Sequence, residues 1–269
     1  MTRDDLSSKI ILSRLNTREI GQTLVYRTKV SSTMETALEQ VRRDTPNGTV
    51  VVAGAQEHGK GRFDRVWISP KGGIYVSIIL YPSKAALNSL TMLASLAVLD
   101  SIKEVSGTVA CIKWPNDVLI GGKKVCGILA VSGESPSKGT YAVVGIGVNI
   151  NIEPDAYPEI AETGTSLNAA SGKTLLRIDL LCSLLENFER RYAKMAEGES
   201  QLAEWSEALI TLGQQVTVKT TTQTFDGLAE SVDTEGCLRL RLENGDLKII
   251  PAGDVTLRTQ SYFPGVLFP

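Results

Sequence analysis

Two apolar runs, TVVVA at 49–53 and IYVSIIL at 74–80, enclose a segment dense in glycine and positive charge. Runs of this length and character are expected to be strands of a buried sheet, because no polar face is left for solvent. The segment between them sets Gln56, Lys60, Arg62 and Arg65 among Gly54, Gly59 and Gly61, then passes through Trp67 into a Ser69-Pro70-Lys71-Gly72-Gly73 turn. Glycine lets a backbone approach a ligand closely, and interleaved cations neutralise an anion that the loop wraps. The expected unit is a hairpin with a mobile anion clamp at its mouth.

The segment admits two other readings. Such charges often do no more than keep a loop solvated. Gly54 to Lys60 also satisfies G-x-x-x-x-G-K, the phosphate loop of many nucleotide-binding proteins. However, Gly61 stands where Ser or Thr should follow, and Gly72-Gly73 argues against the helix that should come next.

The 269 residues suffice for one large domain and a small one, and 42% hydrophobic with 22% charged residues is ordinary for a globular chain. A net charge of −2 gives no global field to draw in nucleic acid, so anion binding must be local. Four scattered cysteines (Cys111, Cys126, Cys182 and Cys237) form no C-x-x-C pair, which argues against zinc or a disulfide framework and fits a reducing cytoplasm. The polar start MTRDDLSSKI is no signal peptide, and no apolar run is long enough for a bilayer. With His58 the single histidine, a Ser-His-Asp triad or His-based metal site is excluded in practice. Chemistry is left to Lys, Arg, Asp, Asn and backbone groups.

Along the chain, 24–30 reads as a strand and METALEQVRR as a helix capped by Ser32 or Thr33, with Leu38 and Val41 facing the core. Helical spacing returns over 87–105, ending near Gly107. Short strands at 109–113 and 117–120 and a third from about 124 bring Lys113, Trp114, Asn116, Asp117 and Lys124 to strand ends. An Asx turn and an exposed Lys123-Lys124 tip are the alternatives to a functional cluster there. YAVVGIGVNINI at 141–152 is a buried strand that lacks the third glycine of a dinucleotide fingerprint. Its Asn149, placed among apolar residues, is expected to read a base or ribose, since an unpaired buried amide is costly. Helices follow over 175–192 and 201–211. From Gly213 the pattern changes to short alternating strands with an Asn244-Gly245 hairpin signal, a small β-barrel. The domains are therefore expected at 1–212 and 213–269.

Taken in order, S-S-T, G-K-G-R-x-x-R-x-W-x-S-P-x-G-G, K-W-P-N-D, K-K-x-x-G-I-L and G-I-G-V-N resemble the motifs of biotin protein ligases, from about Val30 to the terminal barrel. The resemblance implies an α/β mixed sheet flanked by helices, like that of class II aminoacyl-tRNA synthetases and lipoate ligases, plus an SH3-like C-terminal barrel. It implies ATP-dependent activation of biotin to biotinyl-adenylate, with magnesium on the phosphates. Biotin then passes to a lysine of a biotin carboxyl carrier protein or domain of acetyl-CoA carboxylase or a related carboxylase. By family position, Ser32, Thr33, Met34, Gln56, Lys60, Gly61, Arg62 and Lys124 would surround biotin. Arg62, Arg65, Trp67, Lys113, Asn116, Asp117 and Asn149 would meet ATP, with Lys124, Arg62 and Asp117 as the reacting groups. No dedicated metal site is implied. Met34, Lys60 and Asp64 depart from the family's frequent Asn, Arg and Gly. Only about thirty residues precede S-S-T, so a cytoplasmic ligase-only form is expected, homodimeric and without DNA or membrane contact. A lipoate or octanoate ligase and a non-enzymatic biotin sensor are the alternatives. Ser32, Thr33 and Gln56 favour biotin because an octanoyl chain would leave them unpaired.

Overall fold

The computed structural model describes residues 6–258, so the first few residues of the polar start and the end of the expected terminal domain lie outside the described residues. Helix α1 (Ser8–Arg14) precedes strand β1 (Leu24–Arg27), helix α2 (Thr33–Arg42) and strand β2 (Thr49–Ala53). Then come β3 (Ile74–Leu80), α3 (Ser89–Ser106), β4 (Cys111–Lys113), β5 (Asp117–Ile120), β6 (Lys123–Ser135) and β7 (Gly139–Val148). Helices α4 (Leu167–Ser171), α5 (Arg177–Ala196) and α6 (Leu202–Ala208) lead to β8 (Gln215–Lys219), β9 (Thr224–Val232), β10 (Leu238–Leu242), β11 (Leu247–Ile250) and β12 (Asp254–Leu257).

The first seven strands form one mixed sheet in the order β1-β2-β3-β7-β6-β5-β4, with β1 and β2 parallel and every other pair antiparallel. Strands β2 and β3 are neighbours, as a hairpin requires, with Thr49 opposite Ile79 and Ala53 opposite Tyr75. Side chains alternate across a strand. Val50, Val52, Val76, Ile78, Val144 and Ile146 therefore enter one core with Leu93 and Ala97 of α3 and Leu181 and Leu185 of α5. On the opposite face α2 covers one end only, where Met34, Ala37 and Val41 meet Val51, Ile79 and Val143. Leu38, expected in the core, is half-buried at the margin, because the turn through Met34 and Ala37 points most directly at the sheet. Beyond α2 that face carries Ser77, Gly145, Gly147 and Gly127, with Ser77 opposite Gly145 and Gly127 opposite Gly147. Small residues in register leave a trough instead of a core.

Helix α3 is apolar nearly all round, a pattern that fits burial on two sides. Leu93, Ala94 and Val98 face the main core, while Met92 and Leu96 face a second one. That second core joins β4 and α6 to the C-terminal sheet, which has the order β11-β10-β9-β8-β12 and contributes Val216, Val218, Ala229, Leu238 and Leu240. Trp114 is its anchor, with 1% exposure. Its indole donates to Gly236 O at 2.9 Å and its backbone N–H to Thr211 Oγ1 at 2.9 Å. The expected all-β unit is thus an antiparallel sheet joined firmly to the larger layer.

Candidate active site

The trough opens into a cavity of about 250 Å³, walled by the glycine-rich loop, the ends of β4 to β6, the start of α2 and one edge of β12. Ser32, Thr33, Met34, Gln56, Lys60, Gly61, Arg62, Arg65, Trp67, Lys113, Asn116, Asp117 and Lys124 all line it. Residues expected at a shared site from motifs spread over nearly a hundred positions are brought together by the sheet order.

One end is a chain of neutral hydrogen bonds. Ser32 caps α2, its hydroxyl accepting from Met34 N at 3.2 Å. Thr33 donates its backbone N–H to Gln56 Oε1 at 2.8 Å, and its hydroxyl lies 3.1 Å from the same oxygen. Ser77 donates to Thr33 Oγ1 at 2.9 Å, Gln56 Nε2 donates to Ser69 Oγ at 2.8 Å, and Ser69 donates to Trp67 O at 2.8 Å. Ser32 and Thr33 are almost completely buried, so their rotamers are fixed by this network. Met34 follows with its sulfur over Gly145, where an added Cβ would stand 2.5 Å from Sδ.

The other end is charged. Lys124 Nζ lies 2.6 Å from Asp117 Oδ1 and 5.2 Å from the Trp67 ring centroid, a cation–π distance. Its backbone is held by loop 163–165, with Lys124 N donating to Thr163 O and Thr165 N to Lys124 O, both at 2.8 Å. Asn116 donates to Ile128 O at 2.6 Å and accepts from Arg62 Nη1 at 3.2 Å, while the same arginine nitrogen donates to Gly253 O at 3.3 Å. Burial pushes the Arg62 pKa down, against the upward pull of Asp254 and Asp117. Back at the start of α2, on its exposed side, Lys60 pairs with Glu35 at 2.7 Å, and that hydrogen bond, with one from Ser31, holds the Glu35 carboxyl below its usual range.

Trp67 lies flat in the trough, over Gly127 and Gly147, with its Nε1 buried and without a hydrogen-bond partner among the described residues. Asn149 is the one expected site residue outside the cavity lining. It is 3% exposed, its Nδ2 donates to Thr165 O at 3.0 Å, and its Oδ1 has no partner among the described residues. Through Thr165 it braces the loop that fixes Lys124. In the clamp, positive φ falls on Phe63 (54°) and Asp64 (57°), whereas Gly61 has φ −113°. Asp is among the residues that tolerate this left-handed region, which accounts for Asp64 in place of a glycine. Gly59 is needed for space, since a Cβ there would meet Trp67 O at 2.4 Å.

Residues not expected here are Gly127 and Gly147 as the floor, Ser69 and Ser77 in the polar chain, and Asp254, Val255 and Thr256 from the C-terminal sheet. Glycine at strand positions that face one another signals a close approach, so the floor was detectable. Nothing in the local sequence around Asp254 announces its neighbours. Among the described residues no three His, Cys, Asp or Glu groups converge as a metal cage.

Residues 25–149 match the biotin/lipoate A/B protein ligase family, and residues 211–258 match the biotin protein ligase C terminal domain. The bifunctional ligase/repressor BirA of Bacillus subtilis is 38% identical over 253 residues, covering 92% of this chain and 78% of that protein. The biotin--[acetyl-CoA-carboxylase] ligase of Paracoccus denitrificans is 33% identical, covering 76% of this chain and 88% of its own. The biotin protein ligase from Aquifex aeolicus in complex with biotin and ATP superposes with a TM-score of 0.77 at 28% identity, over 89% of this chain and all of that one.

Proposed function

This chain belongs to the biotin/lipoate A/B protein ligase family, and from that premise we infer how its own residues carry out the ligase reaction. It is a biotin protein ligase that binds biotin and ATP, forms biotinyl-adenylate, and transfers biotin to a carrier domain of a biotin-dependent carboxylase. In the first step a biotin carboxylate oxygen bonds to the α-phosphorus of ATP and pyrophosphate leaves. In the second, an acceptor lysine amine attacks the mixed anhydride, AMP leaves, and the nitrogen loses a proton.

The observation that carries the assignment of roles is the polarity gradient along one trough. Its neutral end, Ser32, Thr33 and Gln56, suits a ureido ring with two donors and one acceptor. The charged end must hold two anions together, and fixed cations there stabilise the charge that develops between them. Lys124 bridges biotin's carboxylate and the α-phosphate in this reading, exchanging Asp117 for the substrates. Arg62, Arg65, Lys113 and Asn116 follow the phosphates. Trp67 lies between the biotinyl and adenine sides, and Asn149 acts on the nucleotide side through the loop that fixes Lys124. Magnesium, when bound, neutralises phosphate charge, and Asp117 would add a single carboxylate to the phosphate oxygens that hold it. Asp117 also serves as candidate base for the acceptor lysine.

The domains divide at 212 and 213, and the acceptor belongs to acetyl-CoA carboxylase or a close analogue. Among the described residues, those of β6 beyond Ile128 have no strand partner on the β5 side, an edge that supports a homodimer. Four scattered free cysteines suit a reducing compartment and support a cytoplasmic enzyme. Near-neutral charge supports the absence of DNA binding, and sedimentation with and without a promoter fragment tests both dimer and DNA readings. Isotope exchange of pyrophosphate into ATP tests the activity. It should depend on biotin and not on lipoate, and a lipoate-only response would overturn the substrate.

A further inference from the structure

The clamp is held at its far side by the C-terminal sheet. Two adjacent residues in left-handed conformations, Phe63 and Asp64, are bracketed by Arg62 and Arg65. Such backbone persists only where its surroundings fix it. Both arginines end on one two-residue stretch: Arg62 reaches Gly253 O at 3.3 Å, and Arg65 forms an ion pair with Asp254. The clamp itself is exposed, whereas Asp254 opens β12, opposite Lys219 of β8, and is followed by Val255 buried in the second core. A carboxylate at the start of a paired strand therefore fixes a cation on an exposed loop.

We propose that Asp254 is a positioning residue for the ligase reaction, holding Arg65 at the phosphate end of the cavity before ATP arrives, beside an Arg62 held on the neighbouring Gly253 O. The inference rests on the ligase reading above. Preorganised charge is worth more than charge that must be gathered at the moment of reaction, because no reorganisation is then required. The carboxylate acts through Arg65, which is placed on the ATP side alone, so its removal is felt by ATP and not by biotin, whose neutral contacts lie at the opposite end of the trough.

The test is steady-state adenylate formation by the full chain, with ATP and biotin varied separately, for Asp254→Asn, Asp254→Glu, Arg65→Met and the Asp254→Asn/Arg65→Met double variant. Loss of a charge-assisted contact predicts a KM for ATP raised roughly tenfold in Asp254→Asn, with the KM for biotin and the thermal midpoint unchanged. Asp254→Glu should recover most of the loss. The double variant should be no worse than Arg65→Met alone, since both changes remove one interaction. An unaltered KM for ATP overturns the proposal, as does multiplication of the two single effects. A parallel rise in both KM values with a lowered midpoint assigns Asp254 a structural role instead. If the parent shows no biotin-dependent exchange, the ligase reading falls first; if the parent exchanges normally, only the role of Asp254 is at stake.

Discussion

The Trp67 indole rests directly on Gly147, so closely that a Cβ at that position would lie 2.3 Å from Nε1. No side chain larger than hydrogen fits without lifting the ring. The same ring carries Lys124 on its face, so the floor of the sheet sets the height of the principal cation. Gly147→Ala should slow adenylate formation by ~10², the scale of displacing a reacting group by about an ångström. Single-turnover adenylation measures it, and a parent-like rate would show that Trp67 is free to shift.

Lys124→Ala removes one preorganised cation and should reduce adenylate formation by ~10² or more. Asp117 would then be left without its partner at the cavity wall. Near-normal pyrophosphate exchange in this variant would end the bridging role.

Arg62 ties the clamp to Asn116 and to Gly253. Arg62→Gly should still make adenylate but release it, because a closed-state contact worth ~1.5–3 kcal/mol shifts the closed population tenfold to a hundredfold. Released anhydride acylates stray amines. The check is a chase of preformed adenylate together with biotin blotting of a bystander protein. Unchanged retention and a clean bystander would refute it. Gly61 has no positive φ, so Gly61→Ala should change the chase much less than Gly59→Ala, whose Cβ has no room.

Trp114 lies within the K-W-P-N-D motif, yet its ring fills the core shared with the C-terminal sheet. Trp114→Ala should cost ~3–5 kcal/mol of stability, as for other large-to-small changes in a core. Chemical denaturation measures this, and a loss below about 1 kcal/mol would place the ring outside the packing that joins the two sheets.

Acid should loosen α6. The Glu204 carboxyl is held below its usual range mainly by hydrogen bonds from Arg191, whose side chain is 7% exposed. A depressed folded pKa means stability fully present above the unfolded value, near 4.3, and lost as pH falls through the folded one. Glu204→Gln should flatten the acid limb of the stability curve below about pH 4.3, by a modest amount because the carboxylate is half-exposed. Urea midpoints between neutral pH and pH 3 would reveal it, and parallel curves for parent and variant would contradict it.

Local sequence determined the elements and many of the groups that line the cavity. The continuous apolar runs at 49–53 and 74–80 dictated buried strands, the Ser32-Thr33 pair dictated a cap, and 54–65 showed a loop of glycines and cations, because each depends on neighbours a few residues away. The motif order carried the family. Tertiary structure decided which of those groups meet. Asn149 turned from the cavity toward Thr165, and Lys60 paired with Glu35, because the sheet and α2 put those partners within reach. Asp254 arrived nearly two hundred residues after the clamp, on a strand whose own pattern says only that Val255 is buried. Contacts between residues so distant in sequence arise from how two cores pack on α3, and no local period encodes that packing.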